Sequence, residues 1–461
     1  MSAPARHRIH ARRLFDGHDV LTDQVVETEG GTVTAVGPAV GPVPAGATVV
    51  DFLLPGLIDG HTHLTGYRDD GPREPLPAAT RSQLRLCLSA GVTTLRDLGN
   101  YLEPILLARQ WSVEHHGPRI YTAGPLLDGV HPLWSSSRVV TTEAQARDQV
   151  GRLAAGGVDL VKVYGRVEPE LVPAIVDAAR GHRLPVSIHC GRTTAVGAAA
   201  AGVDCVEHLS HAIDESLAGQ PTDDLTDPHA SRPDALVRAW ASVEPDGPAA
   251  DRFVDVLRRY GTAVCPTLLV TRRAVLFDEQ LAEPHLAVGT LVMPHHRHLI
   301  RMRNPLGLWF GRKHLPAGFA DPDLRGEPRR VVERGLARLA HLLVRLRAAG
   351  VPVVAGTDSP ASSLVPGHSL HQELAALADA GLTPLDCLRA ATSAAATLLG
   401  EPRLGVVRPG AYADLVAVSG DPAREITDTR RISAVMCRGR WVDRDRLTDR
   451  LNADLDAALA R

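Results

Sequence analysis

The sequence predicts an α/β fold, a (β/α)8 TIM barrel carrying a small β-sandwich domain built from both chain termini. Three observations point there. Between about residues 80 and 400, helix-length runs end at glycine and pass at once into short β-branched strands. With the strand before His61 and two others that lack the glycine signal, eight strand candidates follow one another in chain order. The two chain ends instead show alternating strands and turn glycines, without helix-length runs between them.

The elements follow in order. Residues 8–52 alternate, as in Gly30-Gly31-Thr32-Val33-Thr34-Ala35-Val36-Gly37. An apolar strand then leads through Leu54-Pro55-Gly56-Leu57-Ile58-Asp59-Gly60. The helix–glycine–strand unit returns as Ala90-Gly91-Val92-Thr93-Thr94-Leu95 and Gly156-Gly157-Val158-Asp159-Leu160-Val161. It returns again as Ala201-Gly202-Val203-Asp204-Cys205-Val206, Tyr260-Gly261-Thr262-Ala263-Val264 and Ala349-Gly350-Val351-Pro352-Val353-Val354. Arg119-Ile120-Tyr121-Thr122 and Leu184-Pro185-Val186-Ser187-Ile188 complete the set. Glycine ends helices because it takes the left-handed conformation cheaply, and short apolar strands alternating with helices imply parallel βαβ units. Eight of them point to closure into a barrel. The competing reading is an open doubly wound sheet, which would want a glycine-rich phosphate loop that the chain lacks.

Residues 405–445 return to alternating strands, as in Gly410-Ala411-Tyr412-Ala413-Asp414-Leu415-Val416-Ala417-Val418. Each flank alone is too short for a stable domain. The expected organisation is therefore 1–54 and 403–461 as the two parts of the sandwich, the latter with a C-terminal tail, around a barrel at 55–402. Residues 212–246 and 271–330 read as irregular excursions over the barrel mouth, where long loops shape a pocket or lid.

Composition narrows the function classes. The 461 residues are 44% hydrophobic and 22% charged, ordinary for a soluble globular chain. A net charge of -3 and a pI near 6.7 give no electrostatic case for nucleic acid or an anionic membrane. No run approaches the roughly 18–20 apolar residues of a membrane span. The basic start, Met1 to Arg8, is followed by no apolar segment, so no secretory signal is expected. Cys87, Cys190, Cys205, Cys265, Cys387 and Cys437 are scattered without a CxxC pair, which fits buried free thiols in a reducing cytoplasm. The expected partner is a small-molecule substrate, and a homo-oligomer stays open.

The chemistry lies in His61-Thr62-His63. Side chains two apart on a strand leave the same face, so both imidazoles can grip one metal ion, and a buried neutral pair needs such a partner. In a barrel the active site sits at the C-terminal strand ends. Those ends deliver His61 and His63, Lys162, His189, His208 and Asp358. Singly each has an ordinary explanation: a satisfied polar histidine, or an aspartate capping a helix. Lys162 is harder to dismiss, because a lysine in so apolar a strand is unfavourable unless paired or modified. Six such residues on five strand ends point jointly to a metal site.

With these residues in view, the chain resembles the amidohydrolase superfamily, in its branch of imidazolonepropionase-like and prolidase-like metal-dependent hydrolases. The resemblance spans nearly the whole chain. It rests on Pro55 through His63, Gly91-Val92-Thr93-Thr94-Leu95-Arg96-Asp97-Leu98-Gly99, Gly356-Thr357-Asp358-Ser359, Leu382 through Thr392, and Gly410 through Leu415. It implies two divalent metal ions, zinc being the natural expectation for imidazole and carboxylate ligands, with manganese, cobalt and iron as alternatives. It implies His61, His63 and Asp358 on one ion, His189 and His208 on the other, and Lys162 bridging both as a carbamate. A buried lysine amine becomes neutral enough to capture carbon dioxide. The mechanism it implies is attack by a metal-bridging hydroxide on a polarised carbonyl, with Asp358 passing the proton to the leaving nitrogen.

The activity implied is hydrolysis of a C–N amide bond in a peptide, an N-acyl amino acid or a lactam. Tyr164, two beyond Lys162, His131 and Arg166 are candidate substrate contacts. Prolidase-like members often carry Ser-Gly-Gly near here; this chain has Gly165-Arg166-Val167-Glu168-Pro169, which weakens the case for a dipeptide. His368 and His371 are read as supports behind the ligands. The alternative is a mononuclear hydrolase or deaminase of a heterocycle. That branch lacks the lysine and has glutamate three residues beyond the fifth-strand histidine, where this chain has Arg192. A scaffold without catalysis should have lost ligands, and none is missing.

Overall fold

A computed structural model describes residues 5–43, 46–64, 78–222, 233–276 and 326–460. The fold is α/β, with parallel strands alternating with helices through the middle of the chain. Helix Glu143–Ala155 illustrates why. The Thr142 side chain accepts from Gln145 N–H at its start, and Ala146, Val150 and Leu153 bury one face. It stops at Gly156-Gly157, the latter with φ of +82°. Helix Pro248–Tyr260 buries Ala250, Phe253, Val254 and Leu257 in the same manner and ends on a left-handed Gly261.

The strands form three sheets. Leu57–Thr62, Val92–Asp97 and Arg119–Thr122 make a parallel group of three. A group of six runs in the order Ala263–Cys265, Cys205–Glu207, Val186–His189, Val161–Val163, Leu127–Asp128 and Arg138–Val139, again all parallel. Single contacts join the groups. Asp159 N–H donates to Thr122 O at 2.9 Å, Val353 bridges Val264, and Ser359 bridges Thr62. The expected eighth strand at Val351 to Val354 thus appears only as isolated bridges and hydrogen bonds. Gly356 explains part of this, since a Cβ there would lie 2.6 Å from both Cys265 Sγ and His61 Cβ. The chain squeezes between two strands, and only glycine fits.

The chain ends combine in one seven-stranded sheet, ordered Arg440–Trp441, Ile432–Cys437, Leu415–Val418, Thr48–Pro55, Arg6–Phe15, Val20–Glu29 and Thr32–Pro38. Strands from both chain ends thus share one hydrogen-bonded sheet. Its far edge returns to the segment before Leu415, where Val33 N–H donates to Ala411 O at 2.9 Å. Ile9, Leu14, Val26, Leu53 and Met436 pack as its own core. Helix Arg444–Ala460 then docks Leu447 and Leu451 against Leu86 and Leu88 of helix Ala78–Ser89.

The excursions are more regular than expected. Residues 212–246 include helices Glu215–Ala218 and Pro233–Trp240, tied down by Trp240 Nε1–H donating to Ser210 O at 2.8 Å. Of 271–330, residues 271–275 finish helix Leu268–Val275 and 326–330 open helix Gly326–Ala348. Residues 277–325 lie outside the described residues. All six cysteines are free and buried, and among the described residues no helix is long and apolar enough to cross a membrane.

Candidate metal centre

The strand ends bring the predicted residues to one place. His61 lies near the end of strand Leu57–Thr62 and His63 just beyond it, with ring centroids 5.4 Å apart. Lys162 is the middle residue of Val161–Val163, and His189 ends Val186–His189. His208 follows Cys205–Glu207, its ring 4.5 Å from that of His61 and 4.9 Å from that of His189. Asp358 Oδ1 lies 3.3 Å from His61 Nε2 and 3.1 Å from His63 Nε2. Two of these residues and one neighbour hold strained backbone: His208, Asp358 and Thr267 all have positive φ, at 56°, 61° and 46°. Such outliers cluster at functional sites because the surroundings must enforce them. For Asp358 the enforcing contact is its own N–H donating to His61 O at 2.7 Å.

Hydrogen bonds aim the imidazoles. His61 Nδ1–H donates to Glu207 Oε2 at 2.9 Å, and His63 Nδ1–H donates to Gly99 O at 3.2 Å. His208 Nδ1 shares a 2.8 Å hydrogen bond with the Thr267 hydroxyl. With Nδ1 engaged in all three, Nε2 is the nitrogen left for the cavity. Two groups differ: Lys162 Nζ and both ring nitrogens of His189 are buried without a hydrogen-bond partner among the described residues. Buried polar atoms without partners are rare and call for an explanation. A divalent cation would supply one, and beside them ligand atoms, one each from His61, His63 and Asp358, lie within 4.8 Å of one another. The donor set of imidazoles, carboxylate and amine fits such an ion.

The electrostatics agree. Burial, helped by Arg96, lowers the Lys162 ammonium toward its neutral form against the pull of Glu207. Burial and the neighbouring His211 and His208 hold His189 well below the usual imidazole range, so it is a neutral donor. Burial opposes ionisation of Asp358, but His61 and His208 outweigh it and hold the carboxyl well below the usual carboxylate range.

Beneath these residues lies a layer that sequence reasoning did not single out. Glu207, fully buried, bonds His61 on one oxygen and Arg96 on the other. Asp59 receives Thr357 N–H at 3.0 Å, Thr357 Oγ–H at 2.7 Å and His61 N–H at 3.2 Å, joining the segments that carry His61 and Asp358. Burial pushes Asp59 up to about 6 against those bonds. Asp97 receives Leu64 N–H at 2.8 Å, fixing the chain beyond His63. A charged residue inside an apolar strand was the signal available for all of these.

The six residues border a cavity of about 170 Å³. Its far wall is apolar, made by Leu98, Leu126, Leu236, Val237 and Val270. Tyr164 lines it as expected, tilted over His189 with centroids 4.6 Å apart. His211, which the sequence reading passed over, also lines it, 4.4 Å from His189. Its spacing three beyond His208 on a helical turn was the missed signal. His131 and Arg166 are not among the lining residues. His131 is exposed, and Arg166 Nη1–H donates to its carbonyl at 2.9 Å. His371 is buried away from the cavity, between Ala90 O and Thr429 Oγ1.

The description "Amidohydrolase family" matches residues 52–442. The chain belongs to the amidohydrolase family. This amidohydrolase is 26% identical over 415 residues to an uncharacterized protein of Mycobacterium tuberculosis, spanning 87% of this chain and 88% of the other. It is 42% identical to an imidazolonepropionase of Idiomarina loihiensis over only 83 residues, 18% of this chain and 20% of that one. Among solved structures it is similar to bottromycin amidohydrolase, with TM-score 0.69, 22% identity and coverage of 98% and 90%. It is also similar to a Xaa-Pro dipeptidase, with TM-score 0.62, 19% identity and coverage of 95% and 100%. At these identities the solved structures speak for the fold. The imidazolonepropionase likeness, by contrast, is local.

Proposed function

We propose that this amidohydrolase is a binuclear metal-dependent enzyme that cleaves a C–N amide bond in a peptide, an N-acyl amino acid or a lactam. The observation that carries the reading is the unpartnered, buried Lys162 Nζ among converging imidazoles. The amine makes no hydrogen bond among the described residues, but as a carbamate it would join two ions. His61, His63 and Asp358 would hold one ion, His189 and His208 the other, with Lys162 shared. The bound ions, which we expect to be zinc, would acidify a water and polarise the substrate carbonyl. Asp358 accepts the proton of the attacking water as the C–O bond forms and delivers it to nitrogen as the C–N bond breaks. The apolar wall seats an uncharged side chain beside that bond and keeps bulk water out, and Tyr164 contacts the substrate from beside His189. His131 and Arg166 would reach substrate only from the rim.

The same reading takes the parallel strands as one closed (β/α)8 barrel over 55–402, with 1–54 and 403–461 forming a sandwich beside it, in a cytoplasmic protein. The local likeness to an imidazolonepropionase favours a second reading, a mononuclear hydrolase of a heterocycle. Elemental analysis of the purified protein separates them. We expect near two ions per chain, whereas one would favour the mononuclear reading, and none after zinc loading would refute both. Acyl-amino acid, dipeptide and lactam libraries then test the bond cleaved.

A further inference from the structure

We propose that Glu207 is a positioning residue: it sets the orientation of His61 and thereby the affinity of the metal centre, with Arg96 as its countercharge. The inference rests on the metal-dependent reading above. Glu207 ends strand Cys205–Glu207, beside His189 on one side and Cys265 on the other. It is 0% exposed and Arg96 is 1% exposed.

The two carboxylate oxygens have separate duties. Oε2 accepts from His61 Nδ1–H at 2.9 Å, and Oε1 accepts from Arg96 Nη1–H at 2.8 Å. Arg96 in turn donates to Gly60 O at 2.8 Å and to Ser187 Oγ. An ion pair serving the core alone would favour the bidentate fork of guanidinium on carboxylate. Here Arg96 takes one oxygen and leaves the other for the imidazole. A carboxylate behind a ligating histidine fixes its tautomer and ring plane and raises its basicity. Arg96 balances a charge that would otherwise be buried alone. Arg96 also comes from strand Val92–Asp97, next to the strand of His61, so three strands meet in this contact.

Glu207, His61 and Cys265 also lie close enough to suggest a cation site of their own. Both carboxylate oxygens and His61 Nδ1 are already engaged, so we assign the group to support.

The test is a chelator-competition titration of the full chain with zinc. Glu207→Asp keeps the charge but withdraws the reach to His61. Glu207→Gln with Arg96→Met removes both charges, so no lone ion stays buried. We expect each to bind one of the ions roughly 10–100-fold more weakly, with an altered visible spectrum when cobalt replaces zinc. Wild-type affinity in either folded variant overturns the proposal. Nitrogen NMR of the metal-free wild type gives a check that needs no variant: the His61 proton on Nδ1 supports it, and on Nε2 overturns it. A wild type that binds no divalent ion refutes the metal-dependent reading instead.

Discussion

Replacing Lys162 by methionine should make the metal-free protein more stable while destroying its function. Lys162 is 2% exposed, and its Nζ has no hydrogen-bond partner among the described residues. A buried amine without a partner costs roughly 1–3 kcal/mol. Methionine is one heavy atom shorter, and the small void it leaves costs up to about 1 kcal/mol. The balance favours the variant by about 1 kcal/mol on those figures. Unfolding entropy of about 2.1 cal/mol/K per residue over 461 residues makes that a rise of about 1 °C in Tm. Zinc should invert the order. At roughly 100 times its Kd, a ligand stabilises the native state by about 2.7 kcal/mol, a gain the variant loses with its bridging ligand. Calorimetry of EDTA-treated and zinc-loaded samples reads both halves. A metal-free variant that melts below wild type, or gains as much from zinc, refutes the reasoning.

Other outcomes follow from the same site. Asp358→Asn should retain most of its metal and lose roughly 10²–10⁴-fold in kcat, the range for a lost proton-transfer group; near-normal turnover in metal-loaded protein would remove Asp358 from that role. Val270→Asp places a charge in the apolar wall and should lower kcat/KM for hydrophobic amides by roughly 10–200-fold, with metal content unchanged by elemental analysis. Burial pushes His371 down to about 4 from 6.5. Its contribution is therefore complete above pH 6.5 and lost as pH falls toward 4, about 3 kcal/mol in all. Urea titrations at several pH values should find a flatter acid limb in His371→Gln; parallel limbs would contradict this.

The proposed ligands were legible because they break a pattern. Histidines two apart at the end of an apolar strand, and a lysine inside another, stand out against β-branched neighbours. Glu207 and Arg96 break it equally, in Cys205-Val206-Glu207 and Val92 through Asp97, yet a lone charge gives no hint of its partner on a distant strand. Their pairing, 111 residues apart, is a product of strand order. The glycine-capped helices were visible because φ above zero has a strong residue preference, as at Gly157 and Gly261. The helices at 215–218 and 233–240 were hidden by Pro, Asp and Ser, which favour turns when exposed. In the fold Trp240 anchors that segment to Ser210, a contact with no local signature. Arg166 was hard to place for a related reason: a guanidinium near the site suggests an anion, but in the fold it also donates to the His131 carbonyl, a contact with no local signature.

The seven-stranded sheet has a consequence for synthesis. Strand Thr48–Pro55, which runs straight into the one bearing His61 and His63, is flanked by Arg6–Phe15 on one edge and by Leu415–Val418 on the other. A nascent chain therefore carries an open edge there, with backbone donors and acceptors bare, until some 360 further residues have left the ribosome. The early-made strand leading to His61 waits for a late-made one to lock it in register, so premature termination anywhere upstream of Leu415 should yield a sticky polypeptide, not a weakened enzyme.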